Sequence, residues 1–147
     1  MEELKRPAAM SAEQIGELLT KEFPQGYFSG CGLTIERVRY GECRVRRKFH
    51  ESIVRPGGTV SGAKMMELAD FAMYVAVFTA YGALPLAVTT NLSINFLRKP
   101  AARDVIADTR LMKIGKRLAV GEVTIYSDGS SDPVAHVTST YSIPDGR

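Results

Sequence analysis

An α+β domain, with one antiparallel sheet wrapped around a long buried helix, is the fold class this sequence predicts. Three observations carry it. Residues 62–81 are apolar almost all the way round a helical projection, so a helix there must be buried on most of its surface. After Pro85 the apolar period switches from helical to two, and three more strand-like stretches follow. No linker, repeat or low-complexity segment divides the 147 residues, a length that buries about two thirds of the surface an unfolded chain exposes.

The elements follow in order. Ser11 with Gln14 three residues later has the form of a capping box, and Ile15, Leu18, Leu19 and Phe23 give the helix it opens one apolar face. Pro24 and Gly26 end it. Leu33–Tyr40 and Cys43–Phe49 read as two strands joined by Gly41-Glu42 at hairpin spacing. The glycines and proline of Arg55-Pro-Gly-Gly-Thr-Val-Ser-Gly62 exclude regular structure until about Ser61. The long helix runs from Gly62 to Tyr81, with Lys64, Glu67, Asp70 and Thr79 as its clear polar exceptions. In the strand after Pro85, Val88, Thr90, Leu92, Ile94 and Phe96 share one face, and Thr89, Asn91, Ser93 and Asn95 the other. The last three strands span Asp104–Lys113, Arg117–Ser127 and Pro133–Ser142, with turn signals at Gly115-Lys116 and Asp128-Gly129-Ser130. The short first helix leaves the second sheet face bare, so the sequence predicts at least a homodimer, with a second subunit over that face.

Composition removes several classes. With 45% hydrophobic and 24% charged residues, the chain is neither a disordered tail nor a fibre. A net charge of +3 is too mild to argue for nucleic acid, and the basic hairpin stretch Arg37, Arg39, Arg44, Arg46, Arg47, Lys48 lacks interleaved aromatics. Cys31 and Cys43 are isolated cysteines, not a disulfide framework, which predicts a reduced, cytoplasmic setting. Met1–Met10 has no apolar run of signal-peptide length. No charged residue falls between Asp70 and Arg98, but Gly82, Pro85 and the polar alternation beyond them indicate a helix followed by a strand, and no membrane span.

Neither His50 nor His136 has a partner at metal-ligand spacing, so no metal is expected. Phosphate-loop, dinucleotide and Gly-x-Ser-x-Gly signatures are absent. Asp70 stands out, because a carboxylate in an apolar helix is costly unless it has a partner or faces a cavity. A structural aspartate bonded to a neighbouring hydroxyl or backbone group is the competing reading. Glu67, one turn earlier, reads as a surface residue paired with Lys64. Gly62, at the start of the same helix, offers a backbone N–H reinforced by the helix dipole, a donor suited to a developing oxyanion. The two lie eight residues apart, about 12 Å along the axis at ~1.5 Å per residue. That is too far for one reacting atom within one chain, and a site shared between subunits removes the conflict.

Arg55–Asp70 (RPGGTVSGAKMMELAD) resembles the loop-and-helix signature of hotdog-fold thioesterases of the phenylacetate-pathway (PaaI-like) type, Asn-x-x-Gly-x-x-His-Gly-Gly followed by Leu-Ala-Asp. Gly58 and Gly62 match its glycines and Leu68-Ala69-Asp70 its end. Ala87–Pro100 looks like the family's third strand, and Gly115–Val123 resembles its strand-turn-strand segment. The resemblance covers roughly residues 30–143, the core of one domain spanning 1–147, with residues 1–28 as a helical extension. Arg55 stands at the family's Asn, Ser61 at its His and Ala63 at its second Gly.

The resemblance implies hydrolysis of an acyl thioester, most often acyl-coenzyme A, with no metal or redox cofactor. Asp70 acts in it as general base or nucleophile, the Gly62 N–H polarises the thioester carbonyl, and Thr89 matches a Ser/Thr that orients water. Ser61, Arg55 and Asn91 are substrate-binding candidates, Arg55 for an anionic group on the acyl part or the carrier. Arg98, Lys99, Lys113, Lys116 and Arg117, around the strand ends, are candidates for the nucleotide phosphates of coenzyme A. The assembly implied is a homodimer, with a tetramer as the larger form. Two other readings compete: a non-catalytic acyl-CoA-binding module, and a hotdog hydratase, whose Asp/His pair is missing here. Retention of Asp70 with Gly62 favours the thioesterase.

Overall fold

The computed structural model describes residues 6–145; the first five residues of the 1–28 extension and residues 146–147 lie outside the described residues. The elements are α1 (Ala12–Glu22), β1 (Leu33–Arg39), β2 (Glu42–Arg47), a 3-10 turn (Glu51–Ile53), α2 (Gly62–Tyr81), β3 (Val88–Phe96), β4 (Val105–Ile114), β5 (Leu118–Ser127) and β6 (Pro133–Ser142). All six strands form one antiparallel sheet in the order β1-β2-β4-β5-β6-β3. It curls around α2, as the sequence pattern predicts.

The capping box at the start of α1 is formed: Ser11 Oγ accepts from the Gln14 N–H, and Gln14 Oε1 accepts from the Ser11 N–H. Ile15 and Leu19, on its apolar face, are fully buried. The 3-10 turn is the one short element the sequence reading missed; His50 Nδ1 caps it by accepting from the Ser52 N–H. A single β-bridge between Val54 and Val60 then closes the Gly-rich loop and delivers the chain to the Ser61 N-cap of α2.

Most of α2 is buried, from Met65 through Thr79, against the inner faces of β2, β4, β5 and β6. Its single buried hydroxyl is fully used: Thr79 donates to the Ala76 carbonyl and accepts the Gly41 N–H, tying the β1–β2 turn to the helix. Gly41 makes that turn possible with φ +74°. Gly121, on the inner face of β5, sits where α2 comes closest; a Cβ there would lie 2.7 Å from Met73 Sδ and 3.1 Å from the Arg110 carbonyl oxygen.

One expectation about the faces of β3 needs correcting. Strict alternation along β3 would put Thr89 on the outer face with Asn91. Thr89 pairs with Tyr141 and Asn91 with Thr140, so Thr90 is an extra residue, a bulge. The bulge turns Thr89 to the inner face with Leu92 and Ile94. The outer face of β2, β4, β5 and β6 is polar. It is a lattice of polar cross-strand pairs: Arg44–Asp108, Arg110–Glu122 and Glu122–His136, with Arg46 reaching Glu36, Asp104 and Asp128. Such a surface suits water and demands no apolar cover. The uncovered apolar surface lies instead along the edge strand β3, where Leu86, Val88, Phe96 and Leu97 are each half or more exposed.

Candidate active site

Asp70 lies on the third turn of α2, where the inward curl of the sheet brings β3 and β6 beside it. Thr89 donates to its Oδ1 at 2.5 Å, and the Tyr141 hydroxyl lies 3.0 Å from the same oxygen and 3.0 Å from the Asp70 carbonyl. Among the described residues no hydrogen bond ends on Oδ2. One carboxylate oxygen is therefore fixed and the other is free. Asp70 lines a cavity of about 320 Å3 together with Phe23, Gln25, Gly26, Leu33, Glu67, Phe71, Tyr74 and Tyr141. Aromatic contacts tie this lining together: Tyr74 stacks on Tyr141 at 6.0 Å and meets Phe23 edge-on at 6.2 Å, while Tyr27 lies flat on Phe71 at 5.6 Å. Burial, followed by the charge of Asp70, pushes the Tyr141 phenol well above its ordinary range, so it stays protonated and donating. A carboxylate held in this way, beside an apolar hollow, can take a proton from water or attack a carbonyl.

Gly62 occupies the first position of α2, and within the described residues its N–H donates to nothing. The Phe96 ring lies against it, 3.0 Å from where a Cβ would stand. Ser61 caps the helix, its Oγ accepting from the Lys64 N–H at 3.2 Å. Arg55 is exposed in the loop before it, and Asn91 is exposed on the outer face of β3. Glu67 lines the mouth of the cavity and pairs with Lys64 at 3.2 Å.

The strand-end basic residues do not form one group. Lys113, Lys116 and Arg117 surround the β4–β5 turn, at the sheet end where β3 begins and β6 finishes. Arg98 and Lys99 follow the other end of β3, about 26 Å away for a nine-residue strand at ~3.3 Å per residue. Arg98 reaches Asp132 at 3.8 Å. A second hollow of about 400 Å3 on the outer face is lined by Arg39, Asp108, Arg110 and Glu122, most of these charges already engaged in the cross-strand pairs. Among the described residues no group of three His, Cys, Asp or Glu side chains is placed to hold a metal ion, and no helix is long and apolar enough to cross a membrane.

Residues 57–134, just over half of the chain and including most of the Gly-rich loop, α2 and β3, match the Thioesterase superfamily. The chain belongs to that superfamily. A candidate esterase from Saccharolobus solfataricus is 30% identical over 132 residues, 90% of this thioesterase and 85% of the relative. Among solved structures, a candidate thioesterase from Silicibacter sp. TM1040 is 39% identical, covers 93% of this chain and 94% of its own, and superposes with a TM-score of 0.82. A variant of the phenylacetic acid degradation protein PaaI from Thermus thermophilus is 25% identical over 82% of this chain and 99% of its own, with a TM-score of 0.70. The fold is the hotdog fold, the thioesterase is of the PaaI-like type, and its reaction is thioester hydrolysis.

Asp70 and Thr89, two candidates that the sequence reading named, meet in space; Gly62 does not join them within one chain. The reading missed Tyr141, and with it the aromatic lining from Phe23 and Tyr74. A signal for Tyr141 existed: in Val137-x-Ser139-x-Tyr141 the period-two face of β6 carries a phenol into the apolar interior, where a hydroxyl needs a partner.

Proposed function

We propose that the thioesterase hydrolyses acyl-coenzyme A to the free acid and coenzyme A, with Asp70 as general base or nucleophile. One observation carries this reading: a helix carboxylate anchored through Oδ1 by Thr89 and Tyr141, with Oδ2 free beside an apolar cavity. The acyl group occupies the cavity between α2, β6 and the segment after α1, its thioester carbon within reach of Oδ2 or of a water that Asp70 and Thr89 hold.

The oxyanion donor is the Gly62 N–H of a second copy of this chain. Edge strand β3 carries the uncovered apolar side chains, and a strand edge of this kind pairs with its own copy. Antiparallel pairing of two β3 strands about Leu92 sets Phe96 of one copy opposite Val88 of the other. Gly62, under Phe96, then approaches Asp70, beside Thr89. The same pairing carries Arg98 and Lys99 of one copy toward the sheet end that holds Lys113, Lys116 and Arg117 of the other, reuniting the basic residues for the coenzyme's phosphates. Arg55 and Ser61, flanking the Gly62 donor, and Asn91, on β3, are the remaining substrate contacts in this reading.

The test is a hydrolysis screen over acyl-CoAs of varied acyl size, the released thiol read with a chromogenic reagent, beside matched thioesters that lack the nucleotide. Turnover of at least one acyl-CoA, with a lower KM than its nucleotide-free counterpart, is the expected result. Equal handling of both series would remove coenzyme A from the reading, and no turnover of any thioester would remove the catalytic assignment.

A further inference from the structure

Tyr141 anchors Asp70 but makes and breaks no bond in the reading above, and it is 3% exposed with its hydroxyl on Asp70 Oδ1. A phenol buried this deeply requires a hydrogen-bond partner. Three features make the partnership specific. Tyr141 is directly cross-strand from Thr89, so the β3–β6 register sets two donors side by side on one acceptor. The bulge at Thr90 is what brings Thr89 to that side. Both donors converge on Oδ1, and neither bonds to Oδ2.

We propose that Tyr141 is a positioning residue for hydrolysis: with Thr89 it clamps Oδ1 of Asp70, which fixes the orientation of the carboxylate and selects Oδ2 as the reacting oxygen. The inference rests on Asp70 being the base or nucleophile. Neither donor is consumed in the reaction, and Tyr141 touches the substrate only as cavity wall. The other titratable groups facing Asp70 are Glu67 and Tyr74 on α2 itself; the α1 end and the segment after it present only Phe23, Gln25 and Gly26 to the cavity, with Leu33 from β1.

The experiment compares Tyr141→Phe with Asp70→Asn, each checked for an unchanged melting profile. Tyr141→Phe keeps the ring that stacks on Tyr74 and removes only the donor. We expect kcat to fall by about tenfold with KM within twofold, since one lost positioning contact acts in the transition state. Asp70→Asn should lose nearly all turnover. An inactive Asp70→Asn beside a Tyr141→Phe with wild-type kcat and KM would overturn the clamp alone; an active Asp70→Asn would overturn the reading beneath it. If Tyr141→Phe does not fold, 3-fluorotyrosine at position 141, which keeps the ring and the hydroxyl and changes only the strength of the donor, takes its place; kcat should change with KM within twofold, and an unchanged kcat would overturn the clamp.

Discussion

At the residue scale, function converges on one oxygen atom. Asp70 is placed in an apolar helix at a cost that only partners can offset, and Thr89 and Tyr141 supply those partners. Asp70→Asn keeps the side-chain volume and an acceptor oxygen for the two donors but loses the base or nucleophile. We expect kcat to fall by about 100-fold or more, the contribution of a positioned base, with the melting temperature within a few degrees of wild type. Near-normal kcat in the folded variant would sink the assignment. Asp70 was legible in the sequence because a carboxylate in the apolar body of a helix needs a partner or a cavity, a signal that needs no tertiary knowledge. Tyr141 was legible only as an inward phenol in need of a partner, since the register is what shows which group it opposes.

At the element scale, two features decide the geometry and neither is a property of one residue type. The first is close approach. Gly121 lets α2 lie on β5, and a methyl there would press on Met73 Sδ and on the Arg110 carbonyl, which is backbone and cannot swing away. Gly121→Ala should cost about 1–3 kcal/mol, the usual penalty of overpacking, and lower the melting temperature by roughly 2–4 °C per kcal/mol in a chain of this length. An unchanged transition would mean that the helix and strand separate freely. The second is the outer-face charge lattice. The Phe49 N–H and then Arg46 hold the Asp104 carboxyl below its ordinary value, and Arg110 and His136 do the same for Glu122. A carboxyl lowered in the folded state contributes stability above its unfolded value and loses it as pH falls through the folded one. Thermal stability should therefore decline below about pH 4, and Asp104→Asn should be less stable at pH 7 but flatter in acid. Equal acid sensitivity in the variant would discount the lattice. The strands and both helices were readable because capping, burial period and turn residues agree along the chain. The Thr90 bulge was not. Alternation fixes a strand's faces only while the register is unbroken, and an inserted residue reverses every assignment on one side of it.

At the scale of the whole molecule, the proposed oxyanion donor and base of one chain stand too far apart to act together. Gly62 and Asp70 are separated by eight residues of helix, about 12 Å, and their β3 neighbours Phe96 and Thr89 stand seven residues apart on the strand, about 23 Å at ~3.3 Å per residue. In the proposed dimer a two-fold axis through the middle of β3 would exchange the ends, so that each site would take Gly62 from one copy and Asp70 with Thr89 and Tyr141 from the other. Complementation tests this directly. Asp70→Asn removes the base from one population of chains. In the other, Gly62→Pro removes the N–H; the first helical position tolerates proline, and Ser61 before it already has ψ 149°, the extended conformation a following proline requires. Each homodimer should be nearly inactive. After random re-pairing of equal amounts, half the dimers are mixed and each mixed dimer has one of its two sites whole, so about a quarter of wild-type activity should return. Restored activity should track the mixed species, resolved by native mass spectrometry, as chains exchange. Exchange without recovery would place both groups in the site of a single chain and refute the shared geometry.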